Sequence, residues 1–363
     1  MKSILFITAF PPNQMTAGQD YSRRLILDLM GRGYEVSLLY ATYPGHDVEL
    51  PGSVRVVGKI VTSWWNCART PSFHPFFTRR FNRRLVPRIQ DMAKDFGIVY
   101  FDFSQVHLYS LFLEHPCKVL MCHDVICQKF ARAGALQLPW IHTCEGTLLA
   151  SASNIFTFSQ KDCDLVACNY NLPASYVNFY LKGGRFEYPD SEGFVTARRF
   201  CFYGARSRPE NAESLEWFMN HVFPLLDSSL EFIVIGGGMS SALRKRVGGY
   251  KNMKVLGFVS DPVQEIARCQ ALVAPLLKGA GVKVKVIDAL SSGTAVIGSS
   301  VALEGIESNV GHKLFFLCRN SGEYVKVLNA WVDRDAGQKQ GAADEFYMSY
   351  NDNHFPDHLP ALI

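Results

Sequence analysis

The sequence predicts an α/β protein of two doubly wound, Rossmann-like parallel-sheet domains in series, facing a central cleft. Three observations carry that reading. A strand, loop, helix, strand alternation opens the chain and restarts near residue 200, the βαβ pattern of a parallel sheet with helices on both faces. Between residues 171 and 196 the texture changes to aromatic, glycine and proline residues without a clear period, as in a linker. The chain has 363 residues, 48% of them hydrophobic, enough for two cores of ordinary size. The domains expected are 1–180 and 181–340, with 341–363 a segment able to cross back to the first. Ligands of such sheets are expected beyond the carboxyl ends of the strands.

Residues 3–9 read as the first strand and PPNQMTAGQ as a loop. Leu25, Ile26 and Leu29 then fall at helical spacing within 21–30, and GRGY turns the chain into a second strand, EVSLLYA. Further strands are expected at 98–103, 119–124 and 155–159, with a helix over 105–114. The second half offers strands at 200–205, 231–238, 254–260 and 271–276 and a helix over 213–223. The opening MKSILFITAF has one lysine and a short apolar run before Pro11 and Pro12. It is too short for a membrane span and lacks a cleavage site, so a cytoplasmic protein is expected.

Lys and Arg total 37 against 33 Asp and Glu, a net charge of +4 that is too small to indicate a nucleic-acid-binding chain. The distribution is uneven: residues 51–94 carry nine basic side chains and one acid, so the remainder is net acidic. Within SWWNCARTPSFHPFFTRRFNRRLVPRI, Arg79, Arg80, Arg83 and Arg84 interleave with tryptophans and phenylalanines, a mixture suited to an anionic membrane surface. Nucleic acid would accept the same mixture, and a solvated helix face with its aromatics in the core is the structural alternative. Ten cysteines without a CxxC pair or a zinc spacing are expected as buried free thiols, as in a reducing cytosol.

The stretch GAGVKVKVIDALSSGTAVIGSS (279–300) reads as a bare glycine turn, a helix over 282–290, a stop at Gly293 and a core strand. At roughly 100° per residue, Gly281, Lys285 and Asp288 share one side of that helix and Lys283 lies nearer the other. An anion at the helix start and hydroxyls near the carboxylate are the ligand groups suggested. The bland alternative is a surface ion pair between Lys285 and Asp288. The glycines at 236–238 do not complete a dinucleotide fingerprint, because Ser241 stands where the third glycine belongs.

Four blocks, FYGARSRPENAESLEWFMNHVFPLL, FIVIGGG, VLGFVSD and PLLKGAGVKVKVIDALSSGTAVIGSSVALEGI, resemble in order and spacing the retaining glycosyltransferases of family 4, which have the GT-B fold. The likeness covers 200–306; FITAFPPNQMTAGQDYSRRLILDLMGRGYEVSLL and VLMCHD with FTFSQKDCDLV resemble the family's first domain more weakly. It implies a nucleotide-sugar donor, UDP- or GDP-linked, bound by the second domain and a saccharide or lipid-linked acceptor bound by the first. Asp288 then matches the ribose-binding carboxylate; Gly281, Val282 and Lys285, with Arg206 or Arg208, match the diphosphate contacts; Phe258 is a candidate for the base. The family's task is to stabilise the leaving diphosphate, which helix dipole and cations do without a metal or cofactor. Two departures stand out: Ala280 occupies the position of a second acid that touches the sugar in many members, and Asp288 is one methylene shorter than the usual Glu.

His123 and Asp124 end an apolar strand, the place where the resemblance puts a polar contact near the acceptor hydroxyl. Asp124 is a candidate to align or deprotonate that hydroxyl, and His123 to hydrogen-bond the sugar; helix capping by Asp124 and a satisfied core histidine are the structural alternatives. Gly18, in the loop after the first strand, is a candidate for close backbone approach. The function expected is sugar transfer, with retention, in building capsule, lipopolysaccharide or a similar surface glycan. A non-catalytic nucleotide-sugar-binding scaffold and an NAD-dependent sugar-nucleotide enzyme are the alternatives, separated from it by donor turnover and by nicotinamide dependence.

Overall fold

The computed structural model describes residues 2–43, 50, 52, 54–189, 193–306 and 313–362. The chain divides into two units: Met1–Tyr180 with Asn353–Ile363, and Leu181–Asp352.

The first unit has strands β1 (Ser3–Thr8), β2 (Glu35–Thr42), β3 (Arg55–Val61), β4 (Ile98–Asp102), β5 (Lys118–Met121), β6 (Asn154–Thr157) and β7 (Ser175–Tyr176). They form one parallel sheet in the order β3-β2-β1-β4-β5-β6-β7. Helices cover both faces of such a sheet, so β1 is buried at all six positions and reads as an unbroken apolar run instead of an alternating one. Ile4 lies opposite Val36 on one side and Ile98 on the other. After β3 the chain returns to the far side of β1, leaving the switch in strand order between β1 and β4. Leu5, Ile7, Phe101, Leu120 and Ile155 belong to the core. Residues beyond Asn353 pack on this unit: the Phe355 ring meets Tyr100 at 4.7 Å, and Asp357 pairs with Arg32 at 2.7 Å.

The second unit repeats the plan with β8 (Arg199–Tyr203), β9 (Glu231–Ile235), β10 (Met253–Gly257), β11 (Ala271–Ala274), β12 (Ala295–Gly298) and β13 (Phe315–Leu317). Their order is β10-β9-β8-β11-β12-β13, again parallel, with the switch between β8 and β11. Phe200, Phe202, Phe232, Val234 and Ile297 form part of its core. All ten cysteines are free; Cys67 is half-buried, Cys168 exposed and the others buried.

Of the expected elements that differ in type or extent, three have a local physical reason. The helix expected over 105–114 is a 3-10 helix, Ser104–Phe112, entered through Phe103 at φ 68°. Its residues are buried on several sides, including Val106, His107, Leu108 and Tyr109, so the apolar spacing there does not mark one helical face. The strand expected over 254–260 stops at Gly257, whose φ of 76° turns the backbone out of the sheet. The helix after the glycine turn begins at Val284, because Lys283 keeps an extended backbone as its N-cap.

Glu145, on the helix Leu138–Leu149, positions the segment that follows β5. Its carboxylate accepts hydrogen bonds from the Ile126 and Cys127 amides at 2.7 and 2.8 Å, the first turn of the helix Ile126–Arg132, and from the Tyr170 hydroxyl at 2.7 Å. Negative charge suits a helix N-terminus. Burial nevertheless raises the Glu145 pKa, its three donors opposing that rise. Glu145→Ala is expected to leave two buried amides and the half-buried Tyr170 hydroxyl unpaired, at a cost of about 3 kcal/mol or more. Thermal denaturation should then start about 6–12 °C lower; an unchanged midpoint would show that solvent replaces the carboxylate.

Candidate functional site

His123, Asp124, Arg206 and Arg208 lie beyond the carboxyl ends of central strands of their own units, and Gly281, Lys285 and Asp288 follow β11. In the second unit the loop after β8 is held by close backbone packing. Gly236, at φ 121°, lies so near the Gly204 carbonyl that a Cβ there would stand 2.2 Å from its oxygen. The Arg206 amide donates to the Gly237 carbonyl at 2.7 Å. The glycine run at 236–238 thus fixes the backbone that carries Arg206.

Arg206 is buried, and among the described residues its guanidinium makes one hydrogen bond, from Nη1 to the Asn211 carbonyl at 3.4 Å. Among those residues its Nε and Nη2 are buried without a hydrogen-bond partner. Desolvation lowers the Arg206 pKa to about 10. Lys285 reaches the same place from the helix Val284–Ser291, donating through Nζ to Asn211 Oδ1 at 2.5 Å. The residue as a whole keeps some exposure, whereas its ammonium end is enclosed. Desolvation first, then repulsion from Arg206, lowers its pKa to about 7. Arg206, Asn211 and Lys285 line one cavity with Tyr203, Ser214 and Pro275. Asn211 links the two cations and was not singled out from the sequence. Buried donors that lack partners among the described residues favour an anion as their occupant.

The other residues expected here are arranged around that centre. Asp288 is buried and pairs with Lys182 at 3.5 Å, while Lys285 turns to Asn211, so the surface pair between Lys285 and Asp288 is not formed. Gly281 is buried at φ 63°, and Val282 follows it, partly exposed. Lys283 folds back over the turn, donating to the Ala280 and Gly281 carbonyls at 3.2 and 2.5 Å and pairing with Glu304 at 3.7 Å. Arg208 is exposed and precedes the helix Pro209–His221. Phe258 follows β10 and is 85% exposed.

In the first unit, His123 lies two residues beyond β5. Its Nε2 lies 2.8 Å from Asp102 Oδ1, and its ring stacks on Phe103 with centroids 3.6 Å apart. Asp102 ends β4, is fully buried, and also accepts from Ser22 Oγ at 2.5 Å and Thr8 Oγ1 at 3.3 Å through Oδ2. Gly18 lies in the first turn of the helix Ala17–Gly31, not in the preceding loop, and a Cβ there would meet the Phe103 ring at 2.9 Å and His123 Nδ1 at 3.1 Å. Asp124 pairs with Lys129 at 2.9 Å. It does not cap the next helix, whose N-cap is Val125 and whose amides go to Glu145.

The arginine stretch divides by direction. Arg80 is buried, donates through Nε to the Ala9 carbonyl at 2.8 Å and lies 4.4 Å over the Phe10 ring, which corrects its assignment as a surface contact. Phe77 and Phe81 are core residues. Arg83 and Arg84 are exposed, and Arg79 stacks over Trp64 at 4.1 Å.

Comparison with known proteins bears on this arrangement. Residues 197–332, which include Arg206, Asn211 and Lys285, match the family described as glycosyl transferases group 1. TarM superposes on the chain with a TM-score of 0.71 at 11% identity, covering 100% of this chain and 98% of that one. The Anabaena protein Alr3699/HepE, solved with UDP, does so at 0.67 and 13% identity, covering 99% and 100%. The fold is GT-B, and the chain is related to the group 1 glycosyltransferases. WaaG, a glycosyltransferase involved in lipopolysaccharide biosynthesis, gives a TM-score of 0.63 at 14% identity over 99% of this chain and 97% of its own. An uncharacterized 44.6 kDa protein in the cps region of Klebsiella pneumoniae is 29% identical over 158 residues, 40% of this chain and 40% of that protein. The family resemblance and GT-B fold expected from the four sequence blocks are therefore borne out.

Proposed function

We propose that the chain transfers a glycosyl group, with retention, from a nucleoside diphosphate sugar to a saccharide or lipid-linked acceptor in building a surface glycan. The observation that carries this is the pairing of Arg206, with its unpartnered guanidinium nitrogens, and Lys285 across Asn211 at the switch point of the second unit. Cleavage of the sugar C1–O bond leaves charge on the diphosphate, and two fixed cations in a desolvated cavity stabilise it without reorganising. The acceptor hydroxyl forms the new C1–O bond and loses its proton, for which Asp124 is the candidate base. Asp288 is the candidate ribose contact, Arg208 and the Gly281–Val282 turn further diphosphate contacts, and Phe258 the candidate base contact. UDP is favoured over GDP, since UDP is the nucleotide in the Anabaena structures. The names of the Klebsiella and WaaG relatives support a capsular or lipopolysaccharide product.

A melting-temperature panel of UDP, GDP, ADP, CMP and their sugars, with NAD as control, tests the reading, because a ligand of the folded form raises the midpoint by mass action. A response to UDP and UDP-sugars is expected. No response, or one to NAD alone, overturns it. A nucleotide sugar that binds but is never hydrolysed or transferred would favour the scaffold alternative, for which Ala280 is the relevant departure.

Peripheral contact with an anionic membrane is part of the proposal, on a surface revised from the sequence reading. Among the described residues no helix is long and apolar enough to cross a membrane. Trp64, Trp65 and Leu136 are 65%, 73% and 99% exposed. The Trp140 indole donates to the Ser72 carbonyl at 3.3 Å and His74 Nε2 meets Gln137 Oε1 at 2.7 Å, joining the 136–140 segment to residues 72–74. Tryptophans beside arginines suit the headgroup layer. At about 1 kcal/mol per basic residue, replacing Arg83 and Arg84 by Ser is expected to weaken binding to phosphatidylglycerol-containing vesicles by roughly 30-fold. Replacing Arg80 should act through stability instead. Sedimentation with vesicles that is unaltered by the Arg83 and Arg84 changes would remove the membrane from the proposal.

A further inference from the structure

We propose that Asp102 is a positioning residue: it holds the His123 imidazole with its proton on Nε2, so that Nδ1 accepts a hydrogen bond from a saccharide hydroxyl. The inference rests on the sugar-transfer reading for its ligand, but its tautomer claim stands on geometry alone.

A carboxylate offers only acceptors, so the 2.8 Å contact between His123 and Asp102 Oδ1 requires hydrogen on Nε2. A neutral imidazole carries one N–H, which leaves Nδ1 with a lone pair. Asp102 is held in turn: it is fully buried, and its other oxygen accepts from Ser22 at 2.5 Å and from Thr8 at 3.3 Å. These partners come from the helix Ala17–Gly31 and from β1, so the carboxylate is fixed from two elements.

The ring itself has little freedom. Phe103 stacks on it at an interplanar angle of 13°, Phe158 meets it edge-on with centroids 4.9 Å apart, and Tyr21 does so at 5.8 Å. A flip about the Cβ–Cγ bond would place carbon against Asp102 and sacrifice the charge-assisted bond. Among the described residues Nδ1 has no hydrogen-bond partner. Its neighbour is Gly18, where a Cβ would crowd Nδ1 at 3.1 Å. The missing side chain therefore leaves the Nδ1 edge approachable. A fixed, lone-pair-bearing nitrogen of this kind distinguishes a hydroxyl that can donate from a group that only accepts.

Nitrogen-15 NMR of the histidine rings tests the first half without any activity. With the His123 signals assigned by their loss in His123→Gln, the wild-type protein is expected to show Nε2 protonated and Nδ1 unprotonated at pH 8. A predominant Nδ1–H form would overturn the proposal. This arm uses the unaltered protein, so misfolding of a variant cannot obscure it.

The second half is read by adding the nucleotide sugar that raises the melting temperature most. The Nδ1 resonance is expected to move while Nε2 stays protonated, and binding that leaves Nδ1 unmoved would overturn the hydroxyl contact. Asp102→Asn is then expected to reduce hydrolysis of that nucleotide sugar roughly 10- to 100-fold at saturation with little change in KM. The same substitution in a His123→Ala background should cost less than about twofold, because effects acting through one residue are not additive. Equal losses in both backgrounds would make Asp102 merely structural. Failure of every nucleotide sugar to bind would sink the transferase reading, while the tautomer result would still decide the role of Asp102.

Discussion

Arg206→Ala is expected to weaken nucleoside diphosphate binding by roughly 10- to 150-fold, the worth of one hydrogen bond to a charged group, and Lys285→Ala by a similar factor. The two donors left unpaired on Arg206 are buried, so their desolvation has already been met in the free protein and a phosphate recovers it directly. Because both cations meet at Asn211, the double variant should lose less than the sum of the two. Lys285 adds a pH signature. In the free protein its pKa lies at about 7, pushed down by desolvation, Arg206, Lys283 and Arg208 against the opposing pull of Glu210. A diphosphate raises it, so above pH 7 binding takes up a proton and affinity falls as the pH rises. Lys285→Arg, whose guanidinium stays charged, should flatten that dependence. Titration calorimetry in buffers of different ionisation enthalpy measures the uptake; no proton uptake at pH 8 together with wild-type affinity in Arg206→Ala would overturn the anion site.

Gly293→Ala is expected to destabilise the second unit strongly. The helix Val284–Ser291 ends in a Schellman turn: the Gly293 amide donates to the Leu290 carbonyl at 2.9 Å, and the Thr294 amide to that of Ala289 at 3.0 Å, with Gly293 at φ 64°. A Cβ at Gly293 would stand 1.9 Å from the Lys339 carbonyl oxygen, which is backbone and cannot swing aside. Lys339 is fully buried and donates through Nζ to the Ala267 carbonyl at 2.7 Å and to that of Cys269, so its helix is pinned against retreat. Backbone strain and overlap together should cost about 4 kcal/mol or more. Gly341→Ala, on the same helix with nothing within 4 Å of its Cβ, should gain about 0.5–1 kcal/mol instead. Calorimetric unfolding of the pair compares the two signs, and equal, small shifts would show that the packing at Gly293 relaxes.

Much of the proposed donor site was legible as a cluster. Arg206, Lys285 and Asp288 stand in blocks whose local pattern marks strand ends and a helix start, and the fold places such ends together. Asn211 was not legible, because an asparagine one turn into a helix has no local sign that its side chain will meet a lysine 74 residues later. Asp102 was missed for a similar reason, although a carboxylate closing the apolar run IVYF was a signal that could have been followed. Its partner lies beyond the neighbouring strand, and only the register that sets Asp102 opposite Met121 brings it to His123. Arg80 was misassigned because a charge run gives the number of charges but not their direction. Its guanidinium turns inward to a carbonyl 71 residues away.

By itself, then, the sequence determined what local periodicity and glycine placement control: two alternating α/β halves, the helix stop at Gly293, and the cations at the end of β8 and in the helix Val284–Ser291. Only the tertiary structure decided which side chains share a cavity. It joined Arg206 to Lys285 through Asn211, set Asp102 behind His123, and turned Arg80 into the core while leaving Trp64 and Trp65 in solvent. The physical reason is range. Helix and strand patterns arise from neighbours a few residues apart, whereas desolvation and hydrogen-bond pairing depend on elements brought together by parallel crossovers, and those distances are not written in any local stretch.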